Sequence, residues 1–242
     1  MCGNAMVWAG QVDRLADRFS CVSYDRRGHT RSGAGSEPES VATHAADAAA
    51  LIEALGLDRP VVVGSSGGAR IAVELARTRP ELLTGAVFSE PPIFSLEPAD
   101  GEAFLTEVAA VVGPAAETRG PSAAVDAFFG LACPGLWSLL DETAKDRYRA
   151  NAPMMFAEFT GPRYPLGVED AAGIALPCLV LAGTESHPAL RTIAATLARA
   201  LPDTRFVELE GSGHVTYAER PDDFARTVAA FATEVTSRQH SR

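Results

Sequence analysis

The run Gly64-Ser65-Ser66-Gly67-Gly68 has the spacing G-x-S-x-G, directly after Val61-Val62-Val63 and directly before a stretch of helical periodicity. A serine on a sharp strand-to-helix turn lifts its hydroxyl above the sheet edge, and such a turn needs small flanking residues. Ser66 is therefore a candidate nucleophile. The same composition would also suit a turn that cradles phosphate on helix N-terminal amides. The run lacks the GxGxxG spacing and the lysine that phosphate loops carry. A serine hydroxyl becomes nucleophilic only beside a base. Of the five histidines, His29 lies in a charged loop, His44 on an expected helix, His187 after a strand and His240 in the tail. Only His214, in Gly211-Ser212-Gly213-His214, follows the last strand in a Gly-flanked loop. That is the carboxyl edge, where parallel α/β sheets bind ligands. A loop histidine with no partner is the plainer reading of His214 taken alone.

The elements that must position these groups follow from patterning. Arg18–Asp25 alternates β-formers before the loop Asp25–Gly33 and is expected as a buried strand. Ser40 caps an amphipathic helix running through Leu55. Pro60–Gly64, Leu83–Ser89, Pro177–Gly183 and Arg205–Gly211 read as strands, the first of them as a fully covered parallel strand. Helices are expected from Gly67 to Pro80, over Pro188–Leu201 and over Pro221–Val235. Alternation of strand and helix implies a mostly parallel sheet with helices on both faces. Between Phe94 and Asp170 only helical stretches occur, around Pro98–Val112, Ser122–Leu131 and Trp137–Phe159. The expectation is one domain, 1–242, with a helical lid at 94–170 inserted between core segments 1–93 and 171–242. The tail Ser237–Arg242 is expected to fray.

Composition excludes several classes. The 242 residues carry 31 acidic against 21 basic side chains, a formal net charge of −10, with no basic run. Nucleic acid and anionic membrane are poor partners for such a chain. No apolar run approaches the roughly 18 residues of a membrane span, and no signal-peptide layout is visible, so a cytoplasmic protein is expected. The four cysteines, Cys2, Cys21, Cys133 and Cys178, are widely spaced and read as reduced thiols rather than a disulfide or zinc framework.

The chain resembles the α/β-hydrolase superfamily through Tyr24-Asp25-Arg26-Arg27-Gly28-His29 with Ser32, the turn around Ser66, Gly211–His214, and the helix entered at Glu219-Arg220-Pro221. The likeness runs from about Val7 to Phe231. It implies an α/β-hydrolase fold with Ser66 as nucleophile, His214 as general base and the Gly67 amide as one oxyanion donor. It implies hydrolysis of an ester, thioester or lactone of a small, fairly apolar molecule, with no cofactor and no metal. Carbon–carbon bond hydrolysis or cofactor-free perhydrolysis would use the same groups. A non-catalytic ligand-binding member of the fold is the reading from another class. The expected partner is a small-molecule substrate, and a homodimer is compatible with the sequence. Ser65, Phe128, Phe129, Trp137, Met155 and Phe156, with Met154 and Phe159, are candidates for the substrate pocket; apolar residues at helical spacing also build a lid's own core.

The chain departs from the family pattern twice. Ala5–Ala16 reads as a helix with Trp8, Val12 and Leu15 on one face. That leaves no room for three preceding strands or for a His-Gly loop supplying a second oxyanion donor; Met1-Cys2-Gly3-Asn4 stands in its place. Either the start lies upstream or the sheet has rearranged, since removing a middle strand leaves two rows of backbone groups unpaired. The second departure is the triad acid. The family usually places an Asp three residues after Gly183, where this chain has Ser186. Glu90, at the end of the preceding strand and stiffened by Pro91-Pro92, is the preferred acid, with Glu185 as the alternative.

Overall fold

The computed structural model describes residues 2–36 and 39–240. A 3-10 turn, Ala5–Trp8, leads into helix α1 (Ala9–Leu15), and α2 (Val41–Ala54) follows. Ser40 caps α2 by accepting the Thr43 amide at 3.0 Å. Strand β1 (Val61–Ser65), α3 (Gly67–Thr78) and β2 (Gly85–Ser89) form a parallel βαβ unit. A helical insertion then holds α4 (Pro98–Arg119), α5 (Pro121–Ala132), α6 (Pro134–Leu139), α7 (Glu142–Arg149), α8 (Ala152–Thr160) and α9 (Val168–Ala172). The series resumes with β3 (Cys178–Gly183), α10 (Pro188–Ala200), β4 (Thr204–Leu209), α11 (Thr216–Glu219) and α12 (Pro221–His240).

The sheet is parallel throughout, in the order β1-β2-β3-β4. Every residue of β2 and β3 is buried, whereas β1 and β4, at the edges, are partly exposed. The two-residue period of a strand sorts the core into two layers. Ala86, Phe88, Val180 and Ala182 face α2, α3 and α10, with Ile52, Ile71, Ile193 and Leu197 among the residues they join. Val87, Leu179 and Leu181 face the opposite way, toward Phe224, Val228 and Phe231 of α12 and the insertion's core. Register brings Ser65 opposite Ser89, and Ser89 opposite Leu181, so the carboxyl ends of three strands lie together.

The structure corrects the expected strand at Arg18–Asp25. No strand is formed there, and Val22 and Tyr24 are exposed. A strand exists only through its ladder, and among the described residues β1 pairs with β2 alone. Side chains hold this segment instead: buried Asp25 accepts from the Ala5 amide at 2.7 Å and from Arg31 Nε at 2.6 Å, while the Ser32 hydroxyl donates to the Asp25 carbonyl at 2.7 Å. The first helical segment also differs, since it opens as a 3-10 turn and becomes α-helical only at Ala9, with Trp8 stacked on Tyr217 at 4.4 Å. Met1 lies outside the described residues.

Three helical stretches differ as well. α4 runs past Val112 to Arg119 with Pro114 inside it, and the single stretch expected over Trp137–Phe159 divides into three short helices. Asp141, whose carboxylate accepts the Ala144 amide at 2.7 Å, starts the second of these. α12 continues to His240 where fraying was expected; Ser241 and Arg242 lie outside the described residues. The cysteines are free, with Cys2, Cys133 and Cys178 buried. Among the described residues no helix is long and apolar enough to cross a membrane.

Candidate active site

Ser66 occupies the step from β1 to α3 with φ 53° and ψ −124°, a backbone region that non-glycine residues rarely adopt. Two bonds hold it there: the Ser66 amide donates to the Ser89 carbonyl at 2.9 Å, and the Ala69 amide donates to the Ser66 carbonyl at 2.8 Å. The turn is tight on one side only. A Cβ on Gly64 would stand 2.4 Å from the Gly68 carbonyl oxygen, whereas one on Gly68 would meet nothing within 4 Å. Gly67 opens α3, and the first amide of a helix has no acceptor on a preceding turn, so its N–H is left to the site beside the Ser66 hydroxyl.

His214 stands on the loop after β4. Its Nε2 lies 2.9 Å from Ser66 Oγ and its Nδ1 lies 2.7 Å from Glu90 Oε2. A carboxylate at Nδ1 fixes the ring proton there and leaves Nε2 to accept from the serine hydroxyl. The loop is held from both sides. Glu219 accepts the Gly213 amide at 2.6 Å and the Val215 amide at 3.2 Å, and the Glu185 amide donates to the Ser212 carbonyl at 2.8 Å. Gly183 permits this approach, because a Cβ there would stand 2.2 Å from the Ser212 carbonyl oxygen.

Glu90 is fully buried at the end of β2, with φ 47°. Its amide donates to the Leu181 carbonyl at 2.9 Å, which pins the backbone to β3. Its carboxylate accepts from the Gly183 amide at 2.7 Å, from Ser186 Oγ at 2.5 Å and from His214 Nδ1. Charged groups are retained in a protein interior only when partnered in this way. Glu185, the alternative acid, is exposed. The turn after Gly183 directs Ser186 inward and its neighbour outward, the consequence of a one-residue shift on a tight turn.

A cavity of about 70 Å³ opens beside Ser66 and His214. Its walls are largely apolar, with Phe94, Phe104, Phe128, Phe159 and Leu190 among them, and its polar side carries Arg70, Glu158, Arg163 and Tyr164. Of the expected pocket residues, Phe128 and Phe159 line this cavity. Ser65, Phe129, Trp137, Met154, Met155 and Phe156 do not. Helical spacing turns Phe129, Trp137 and Met155 into the insertion's own core: Phe129 stacks on Trp137 at 4.7 Å and meets Tyr148 at 4.9 Å, and Met155 is fully buried, while Met154 lies against Gly28. Phe156 is half-buried against the same core, and Ser65 is taken up in the β1–β2 ladder.

Sequence reasoning missed four participants. Ser186 occupies the position at which the family pattern has an acid, and its hydroxyl donates to Glu90 Oε2. Glu219 lies one turn beyond the histidine loop, and Arg70 lies four residues after Ser66; both spacings carried that signal. Glu158 gave none, because its partners are distant in sequence: Arg70 Nη2 at 2.7 Å and Arg26 Nη2 at 3.1 Å. Burial alone would raise the Glu158 carboxyl, but the positive charges around it, both guanidiniums among them, hold it well below the usual carboxylate range. Among the described residues no three His, Cys, Asp or Glu side chains gather as metal ligands.

This geometry coincides with a family match that spans most of the chain. The model of the alpha/beta hydrolase family matches residues 2–227. The chain belongs to that family. A protein named carbamate hydrolase RutD, from Azorhizobium caulinodans, is 28% identical over 245 residues, covering 97% of this chain and 89% of its own length. The crystal structure of the enol-lactonase from Burkholderia xenovorans LB400 is similar at 25% identity and a TM-score of 0.70, covering 96% of this chain and 88% of that one. An esterase from Thermogutta terrifontis shares the fold at 21% identity and a TM-score of 0.77, over 96% of this chain and 86% of that one. This α/β hydrolase is thus an enzyme of the hydrolase type.

Proposed function

We propose that this α/β hydrolase cleaves an ester, thioester or lactone of a small molecule with Ser66 as nucleophile, His214 as general base and Glu90 as the orienting acid. The observation that carries the reading is the continuous chain from Ser66 Oγ to His214 at 2.9 Å and on to Glu90 at 2.7 Å, ending on a serine whose backbone is strained. Strain of this kind persists only where the surrounding structure imposes it. The relatives named as a lactonase and an esterase are in keeping with this substrate class.

In this mechanism Ser66 Oγ attacks the substrate carbonyl while its proton passes to His214 Nε2. The imidazolium is stabilised by Glu90, and the Gly67 amide donates to the tetrahedral oxyanion. His214 then protonates the leaving oxygen or sulfur as the carbonyl re-forms. Water then attacks the acyl carbon, giving its proton to His214, and His214 returns that proton to Ser66 Oγ as the acyl–Oγ bond breaks and the acid leaves. The apolar cavity wall excludes competing water and receives the organic part of the substrate. A fluorophosphonate probe tests the reading. It should label the wild type and leave Ser66→Ala unlabelled; absence of label on folded wild type, shown by circular dichroism, would overturn it.

A further inference from the structure

We infer that the cavity selects substrates bearing a carboxylate, held by Arg70 in the same cavity that Ser66 and His214 line. The inference rests on the hydrolase reading above and deepens it.

Arg70 follows Ser66 by four residues on α3, and its amide donates to the Ser66 carbonyl at 3.3 Å. Residues four apart share one helix face, and helical side chains lean toward the N-terminus. Arg70 therefore leans toward the serine, and it lines the same cavity. Its side chain is largely buried, at 13% exposure. One edge of the guanidinium donates to Glu158, but the buried Nε–H has no hydrogen-bond partner among the described residues. A buried charged donor left without an acceptor is costly and rare.

The neighbouring groups do not supply that acceptor. Glu158 spends one oxygen on Arg70 and the other on Arg26, so two guanidiniums face one carboxylate. The Tyr164 hydroxyl is turned to Glu74 at 2.8 Å, and the remaining walls are mainly apolar. Arg163, at the exposed rim, is paired with Glu102 at 3.4 Å. What fits is an anionic acceptor brought by the substrate. Arg70 and Ser66 line one cavity, so a carboxylate held by Arg70 and a carbonyl at Ser66 are the two ends of one short acyl chain.

Three p-nitrophenyl esters of matched length test this: the hemiglutarate, the neutral pentanoate and the 4-ammoniobutanoate. The wild type should favour the hemiglutarate over the pentanoate by about 10- to 100-fold in kcat/KM, chiefly through KM, the size expected for a charge-assisted hydrogen bond. Arg70→Gln should bring that ratio close to one, and Arg70→Lys should keep part of it. Both esters are measured on one preparation, so a loss of folded enzyme cancels in the ratio. Calorimetric titration of the wild type and Arg70→Gln with glutarate reads the same site without turnover. If no ester is cleaved but glutarate binds only to the wild type, the carboxylate site stands and the hydrolase reading falls. Cleavage of the pentanoate without preference for the hemiglutarate, preference for the ammonium ester, or an unchanged ratio in Arg70→Gln would overturn the inference.

Discussion

Replacing Glu90 by Gln changes one atom in a site with three donors. In the wild type Oε1 takes the Gly183 amide, and Oε2 takes both Ser186 Oγ and His214 Nδ1. A glutamine can keep an oxygen toward the Gly183 amide, which leaves its NH2 group pointing at the histidine. An NH2 at that place must donate to Nδ1, so the ring proton moves to Nε2 and faces the Ser66 hydroxyl. The base is then in the wrong tautomer. Loss of orientation and tautomer in a triad lowers turnover by about 10⁴-fold, which at roughly 1.36 kcal/mol per decade is about 5.4 kcal/mol of transition-state stabilisation. Initial rates with a short p-nitrophenyl ester, corrected for folded protein, give the number directly. Glu185→Gln serves as the control, since that side chain is exposed, and it should remain close to wild type. A Glu90→Gln enzyme within tenfold of wild type would refute this account, as would an equal loss in Glu185→Gln.

Gly64→Ala should lower stability by about 1–3 kcal/mol, or about 2–4 °C of Tm per kcal/mol, because the added Cβ meets the Gly68 carbonyl at 2.4 Å. Gly68→Ala, with open space around its Cβ, should melt at or above the wild-type temperature in the same thermal scan. Ser186→Ala removes the 2.5 Å donor from buried Glu90 and should cost about 1–3 kcal/mol in chemical denaturation; an unchanged midpoint would show that the bond contributes nothing. Burial holds the His44 imidazole down at about 4, below its ordinary 6.5, so between those values the unfolded chain binds a proton that the folded chain refuses. Stability should therefore fall as pH drops from about 6.5 toward 4, by up to about 3 kcal/mol, and His44→Gln should flatten that slope in melts recorded across the range.

Much of this arrangement could be read from local pattern. The apolar runs that became β1 to β4, and the polar punctuation between them, are short-range signals, and they located the serine turn and the histidine loop. The expected strand at Arg18–Asp25 failed for a reason that lies outside the segment. Alternation describes a side chain's preference, but a strand exists only in a ladder, and among the described residues β1 pairs with β2 alone. Aromatic spacing in the insertion was equally two-sided: Phe128 and Phe129 are adjacent on α5, and only Phe128 reaches the cavity. Glu90 is legible as a candidate acid because it ends a strand beside the serine turn. Its support by Gly183 and Ser186 depends on how β2 and β3 come into register, which no local pattern carries. The Arg26–Glu158–Arg70 cluster joins three separate regions of the chain, and only the folded molecule brings them together.

The central claim is that Ser66 forms a covalent acyl intermediate through His214. Mixing the enzyme with p-nitrophenyl acetate, quenching in acid within milliseconds to seconds and mapping the peptides by mass spectrometry tests it most directly. The account predicts an acetyl group on Ser66 that appears with the burst of p-nitrophenol and is absent from Ser66→Ala and from His214→Gln over the same interval. Turnover of the ester with no acetyl group on Ser66, or an acetyl group accumulating on another residue, would contradict it.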